Sequence, residues 1–377
     1  ASCEPEFENE VNADYSSGEA DFSSYVAIGN SLTAGYMDGT VSKGSQANSY
    51  PNLLAQQFAL VGGGAFTQPS YADDVNNLGG LMLGGNPIAN TRLIIDASQG
   101  RPENIAGTST IEVSNLQATA YNNMGVPGAK SFHLLSTSYG NLAGVALGTA
   151  NPYFVRHATS SSAAVLGDAM SKNPTFFTNW IGSNDVLAYA TNGGAQSDGT
   201  SAASDHNVTG NTNPATYGSN DITNSNTYAS VYSTIVNTLT SNGAKGVVCT
   251  IPSVTSIPYF TTVPFKPVPL DNTKAAQLNV GYATYNGGLD VAFNNGLISS
   301  QERLKRKINF IAGLNPVVIV DNDLTNLSGL GIPSYRMTTA DDLIVLPASS
   351  FIGTLVGGNP DYVNGVSVPL ANKWVLT

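Results

Sequence analysis

Short runs rich in β-branched and aromatic residues, separated by segments with helical spacing, constrain this chain more than any other feature. Parallel strands need long crossovers, and helices are the usual ones. Residues 24–28 form such a run, ending in Gly29-Asn30-Ser31, and residues 51–58 then have helical spacing. The spacing of Ala163, Ala164, Leu166 and Met170 predicts a helix over 160–173, and residues 175–181 read as a strand. A helix over 226–239 rests on Tyr228, Val231, Tyr232, Ile235 and Leu239, and leads to a buried strand at 246–251. Asp271 caps a long helix reaching Ala292, and Val317-Val318-Ile319-Val320 is a further strand. The pattern predicts an α/β fold with a parallel sheet and helices on both faces.

At 377 residues the chain can bury a large core. Residues 1–20 show little periodicity and read as an acidic tether, leaving 21–377 as the folded domain. Two insertions interrupt that domain. Glycine clusters at 62–64, 79–80 and 84–85, with a strand-like piece at 92–95, mark one over 61–115. A Ser, Thr, Gly, Asn and Asp stretch without Lys or Arg marks the other over 191–226. None of the glycine clusters shows Gly-x-Gly-x-x-Gly between strand and helix, so they read as turns and not as phosphate cradles.

Charge excludes some partners. The formal charge is -11, but eight acids precede the first base, Lys43, so residues 43–377 carry 15 bases against 18 acids. A nearly neutral body without a basic patch argues against binding nucleic acid or anionic lipid. Only 11% of residues are charged, which suits an extracytoplasmic protein with long polar loops. Cys249 sits in the run read as a buried strand, where a thiol acts as a small hydrophobe. Cys3 follows Ala1-Ser2 and precedes Glu4-Pro5-Glu6, which looks like the junction where a lipoprotein signal is cleaved and the cysteine lipidated. A disulfide or an idle thiol is the alternative. No run approaches the roughly 18 apolar residues of a spanning helix.

Ser31 follows the end of a strand-like run, at the edge where open α/β sheets place ligand sites. Taken alone, a serine there is an ordinary helix N-cap. The run from Tyr25 to Gly35, with Gly29-Asn30-Ser31-Leu32 at its centre, resembles block I of the SGNH (GDSL-like) hydrolase superfamily, with Asn30 in the place of its usual Asp. Asn123-Met124-Gly125-Val126-Pro127-Gly128-Ala129 is similar to block II, and Trp180-Ile181-Gly182-Ser183-Asn184-Asp185 to block III. The resemblance implies a flavodoxin-like three-layer sandwich. It also implies Ser31 as nucleophile and an oxyanion hole of the Ser31 N–H, the Gly128 N–H and the Asn184 amide, donors preorganised where charge develops. Gly218-Ser219-Asn220-Asp221 repeats the block III letters without a preceding strand and reads as a decoy.

Block V of that superfamily, an Asp-x-x-His motif near the C-terminus that supplies the base, does not occur here. His133, His157 and His206 are the three histidines, none with Asp at the required spacing, and a buried structural histidine is the plainer reading of His133. The run from Asn364 to Thr377 is similar to a segment that precedes block V in large envelope-lipoprotein members, so the expectation is a chain that stops short of its own base, or one that has lost it. Asp321-Asn322-Asp323 starts like a calcium loop but has Asn326 at position six and Ile332 at position twelve. No metal spacing and no cofactor motif is found.

The reading is therefore a serine ester hydrolase on an outer-membrane lipoprotein anchored through Cys3. Its substrate would be a lipid, an acetylated glycan or a small ester. The rival is an inactive lipoprotein on the same scaffold, serving as a binding or assembly subunit beside an outer-membrane protein; a glycan-binding lipoprotein ranks below both.

Overall fold

The computed structural model describes residues 15–96, 98 and 101–377. Cys3 and most of the 1–20 tether lie outside the described residues. The chain divides into two compact units, residues 1–184 with 225–251, and residues 185–224 with 252–377.

The first unit is built on a four-stranded parallel sheet. Strand β1 (Tyr25–Gly29) runs into the short helix α1 (Ser31–Ala34), and helix α2 is Tyr50–Ala59. Strand β2 (Asn123–Gly125), helix α3 (Val165–Met170) and strand β3 (Phe176–Trp180) follow, and Asn184 ends this stretch of the unit as the first residue of helix α4 (Asn184–Thr191), whose other residues are counted in the second unit. Helix α5 (Ser225–Thr240) and strand β4 (Lys245–Val248) complete the set. The spatial order is β2-β1-β3-β4 with every pairing parallel. That order matches the first four strands of a flavodoxin-like sheet, whose direction of winding reverses between β1 and β3.

Alternation along the strands sends side chains to opposite faces. Val26, Ile28, Met124 and Phe177 meet Val165, Leu166 and Ala169 of α3 and Ile235 and Leu239 of α5. On the other face Tyr25 and Ala27 pack against Ala55 and Phe58 of α2. The molecule is thus a mixed α/β structure with helices on both faces of this sheet.

Strand β4 departs from expectation. The 246–251 run reads as buried, yet β4 is the sheet's edge and Val247 and Val248 are 50% and 49% exposed. Valine content signals a strand but not its place in the sheet. Cys249, just beyond it, is half-buried, and burial pushes its thiol up.

The second unit has antiparallel pairs. Strand β5 (Val268–Leu270) pairs with β6 (Gly313–Asn315), and β7 (Val318–Val320) with β8 (Tyr335–Met337). The 317–320 run is therefore a strand, but of an antiparallel pair in this unit and not of the parallel sheet. The helix expected from Asp271 to Ala292 is two helices, α6 (Asn272–Gly281) and α7 (Ala283–Asn294). Asp271 does cap α6, accepting from the Lys274 N–H at 2.7 Å. The break falls at Tyr282, whose φ of -89° and ψ of 1° leave the helical region. Its buried hydroxyl donates to the Val366 carbonyl at 2.7 Å, so a tertiary hydrogen bond coincides with the break. The core joins Phe260, Val317, Val318, Ile319, Ile344 and Leu370. Among the described residues no helix is long and apolar enough to cross a membrane.

Candidate active site

Three parallel strands end at one level. Gly29 is in register with Gly125 on one side and Trp180 on the other, so Ser31, Gly128 and Asn184 all lie a few residues past the carboxyl ends of adjacent strands. This is also the β1/β3 switch point, where the crevice of an open α/β sheet forms.

Two glycines let α1 sit on those ends. A Cβ on Gly29 would lie 2.1 Å from Thr33 Oγ1 and 2.5 Å from the Trp180 carbonyl oxygen. On Gly125 it would lie 2.2 Å from the Ala34 nitrogen and 2.5 Å from the Thr33 carbonyl carbon. Gly125→Ala must push α1 off the sheet because backbone atoms cannot rotate away. The expected cost is about 1–3 kcal/mol, read as a lower urea midpoint at unchanged slope. A midpoint equal to wild type would show that α1 is not seated as described.

Ser31 opens α1, and the Asn30 side chain caps it by accepting from the Leu32 N–H at 3.1 Å. The residue in the motif's usual Asp position is therefore a buried helix cap. Asn123 ties the far end of α1 to β2, donating to the Thr33 carbonyl at 2.9 Å. Ser31 is half-buried, and among the described residues its hydroxyl has no hydrogen-bond partner. Neither the Ser31 nor the Gly128 backbone N–H donates to any described residue. Gly128 is exposed with φ of 79°, in the left-handed region that favours glycine.

Asn184 is the first residue of α4, and its Nδ2 donates to the Ala129 carbonyl at 2.9 Å. One amide hydrogen thus pins the Gly128 loop to the β3 end, and the other is left over. Sequence reasoning missed the groups beside it. The Asn179 side-chain amide, Trp180 Nε1 and Ser183 Oγ are buried without a hydrogen-bond partner among the described residues. Buried polar groups are nearly always paired, so this end of β3 holds unusual unspent hydrogen-bonding capacity.

No described histidine is hydrogen bonded to Ser31. His133 Nδ1 accepts from the Lys130 N–H at 3.1 Å, and the ring stacks on Tyr139 with centroids 4.4 Å apart. Burial, with Lys130 nearby, pulls its pKa down to about 4, so the ring is neutral at pH 7 but a poor base. His157 is fully buried, with its pKa pulled down to about 3 by burial and by Arg156.

His206 is the histidine with a carboxylate, a pairing the sequence did not reveal. Its Nε2 lies 2.9 Å from Asp221 and its Nδ1 2.9 Å from the Thr209 hydroxyl. Asp221 belongs to the repeated Gly-Ser-Asn-Asp. Burial works against its charge, but N–H bonds from Ser204 and Gly218, then Gln196 and His206, hold it below the usual carboxylate range. That copy ties together residues 196–221 of the second unit, whereas Ser31 belongs to the first.

Asp321, the start of the calcium-like run, is paired with Arg336 and Lys305. Among the described residues no cluster of three His, Cys, Asp or Glu could hold a metal ion. In comparisons with protein-family models, curated proteins and solved structures, nothing matches this chain.

Proposed function

We propose that this chain is a serine carboxylester hydrolase of the SGNH type. Ser31 Oγ attacks an ester carbonyl, and the negative charge that develops on its oxygen is met by the Ser31 N–H, the Gly128 N–H and the free hydrogen of the Asn184 amide. A general base takes the Ser31 hydroxyl proton and passes it to the departing alkoxide, so the alcohol leaves; the same base then takes a proton from water, which hydrolyses the acyl-enzyme and returns the proton to Ser31. One observation carries the reading: three unspent donors and a serine hydroxyl follow the carboxyl ends of three adjacent parallel strands. The substrate class is a lipid, an acetylated glycan or a small ester, and a lipid anchor on Cys3 would place the enzyme on the outer membrane.

A second reading is favoured by the histidines. Ser31 needs a base, and none of the described histidines is hydrogen bonded to it. An inactive lipoprotein that uses the scaffold as a binding or assembly subunit at the outer membrane accounts for that.

A fluorophosphonate probe separates the two. Under the hydrolase reading the native protein is labelled, peptide mapping puts the adduct on Ser31, and Ser31→Ala removes it. Folded protein that takes up no label excludes the hydrolase reading and leaves the scaffold role.

A further inference from the structure

A groove of about 860 Å³ lies wholly within the second unit. Small-molecule sites run to about 300–1,000 Å³. One wall is α6, which contributes Lys274, Gln277, Leu278 and Gly281. Pro269 and Leu270 of β5 line it as well, as do Leu355 and Val363 of the hairpin at 355–363.

The order of groups along α6 is informative. A cation comes first, an amide one turn later, then an aliphatic side chain and a bare glycine. The span from Lys274 to Gly281 is about 10 Å at the helical rise. Among the described residues Lys274 has no ion pair, and the lining's acid, Asp361, stands on the hairpin and is not paired with it. The Ser367 hydroxyl is already engaged, donating to the Asp361 carbonyl at 2.7 Å. Lys274 and Gln277 are thus the available donors on the helix wall, and the rest of that wall offers carbon.

We propose that this groove binds a single-chain amphiphile with an anionic head. The head sits at Lys274 and Gln277, and the alkyl chain runs along Leu278 and Gly281 against Leu355 and Val363. The site rests on the second unit alone and does not depend on the hydrolase reading.

Titration of the whole chain with cis-parinaric acid, followed by its fluorescence, tests this. Wild type binds saturably in the micromolar range. Gly281 lines the groove and a Cβ on it meets nothing within 4 Å, so the side chain of Gly281→Leu starts in open space, and leucine is the better helix former. That variant weakens binding at least about tenfold. Lys274→Gln weakens the acid about fivefold but leaves displacement by dodecanol unchanged. Ser31→Ala titrates as wild type, so failure of the hydrolase reading would leave this site standing. No saturable binding to wild type overturns the proposal, as does unchanged affinity in a Gly281→Leu variant with wild-type thermal unfolding. Acid binding unaffected by Lys274→Gln overturns the assignment of the head.

Discussion

Under the proposed hydrolase reading, Asn184→Ala lowers kcat for ester hydrolysis by roughly 10²–10³-fold, about 2.7–4 kcal/mol of barrier, and leaves KM nearly unchanged. The size follows from when the interaction forms. A ground-state carbonyl carries little charge and gains little from a third donor, whereas the tetrahedral oxyanion gains a charge-assisted hydrogen bond. Asn184 needs no reorganisation to supply it. Its position at the start of α4 and the 2.9 Å bond to the Ala129 carbonyl fix the amide before substrate arrives. The same bond creates a second effect to separate, since its loss also frees the Gly128 loop at a cost of about 1 kcal/mol in stability. Unfolding measured beside the kinetics distinguishes them. A small stability loss with a large drop in kcat marks a donor to the transition state. Unchanged kcat/KM removes Asn184 from the oxyanion hole.

What the sequence could show depended on how local the signal is. The strand before Ser31 was legible at 24–28 because alternation and its glycine end are carried by neighbouring residues; β1 is Tyr25–Gly29. The two Gly-Ser-Asn-Asp copies were separable for the same reason, the first following an apolar run and the second not. The 92–95 and 317–320 runs were legible as strands, but not their antiparallel pairing, since short apolar strands look alike in either sense. The break at Tyr282 was hidden because the helical spacing continues through it and the hydrogen bond made there is to Val366, 84 residues away. The His206–Asp221 pair spans 15 residues with no periodic signal between them. The division into two units was not legible either, because residues 185–224 leave the first unit's sequence and join a core built from 252 onward.

Arg336→Met should destabilise the second unit by about 3–5 kcal/mol, the cost of leaving buried Asp342 without its cation and buried Asp321 with the half-exposed Lys305 alone. Arg336 is bidentate to Asp342 at 2.6 and 2.7 Å and also donates to Asp321 from Nε. All three side chains are only 3–4% exposed. Burial raises the cost of ionising either acid, yet hydrogen bonds and charge from Arg336 more than offset it and hold both below the ordinary Asp value of 3.8. A carboxylate with a depressed folded pKa contributes stability that is fully present above its unfolded value and is lost as pH falls through the folded one. Wild type therefore weakens below about pH 4. In the variant both acids lose their main stabilising partner while remaining buried, so their pKa values rise. Protonation then relieves the strain, and the stability gap between the two proteins narrows as pH falls from 7 toward 3. For a body of this size the deficit at pH 7 corresponds to roughly 6–20 °C in calorimetric midpoint. A gap that stays constant across that pH range would show that the arginine's packing, and not its charge, is what the second unit loses.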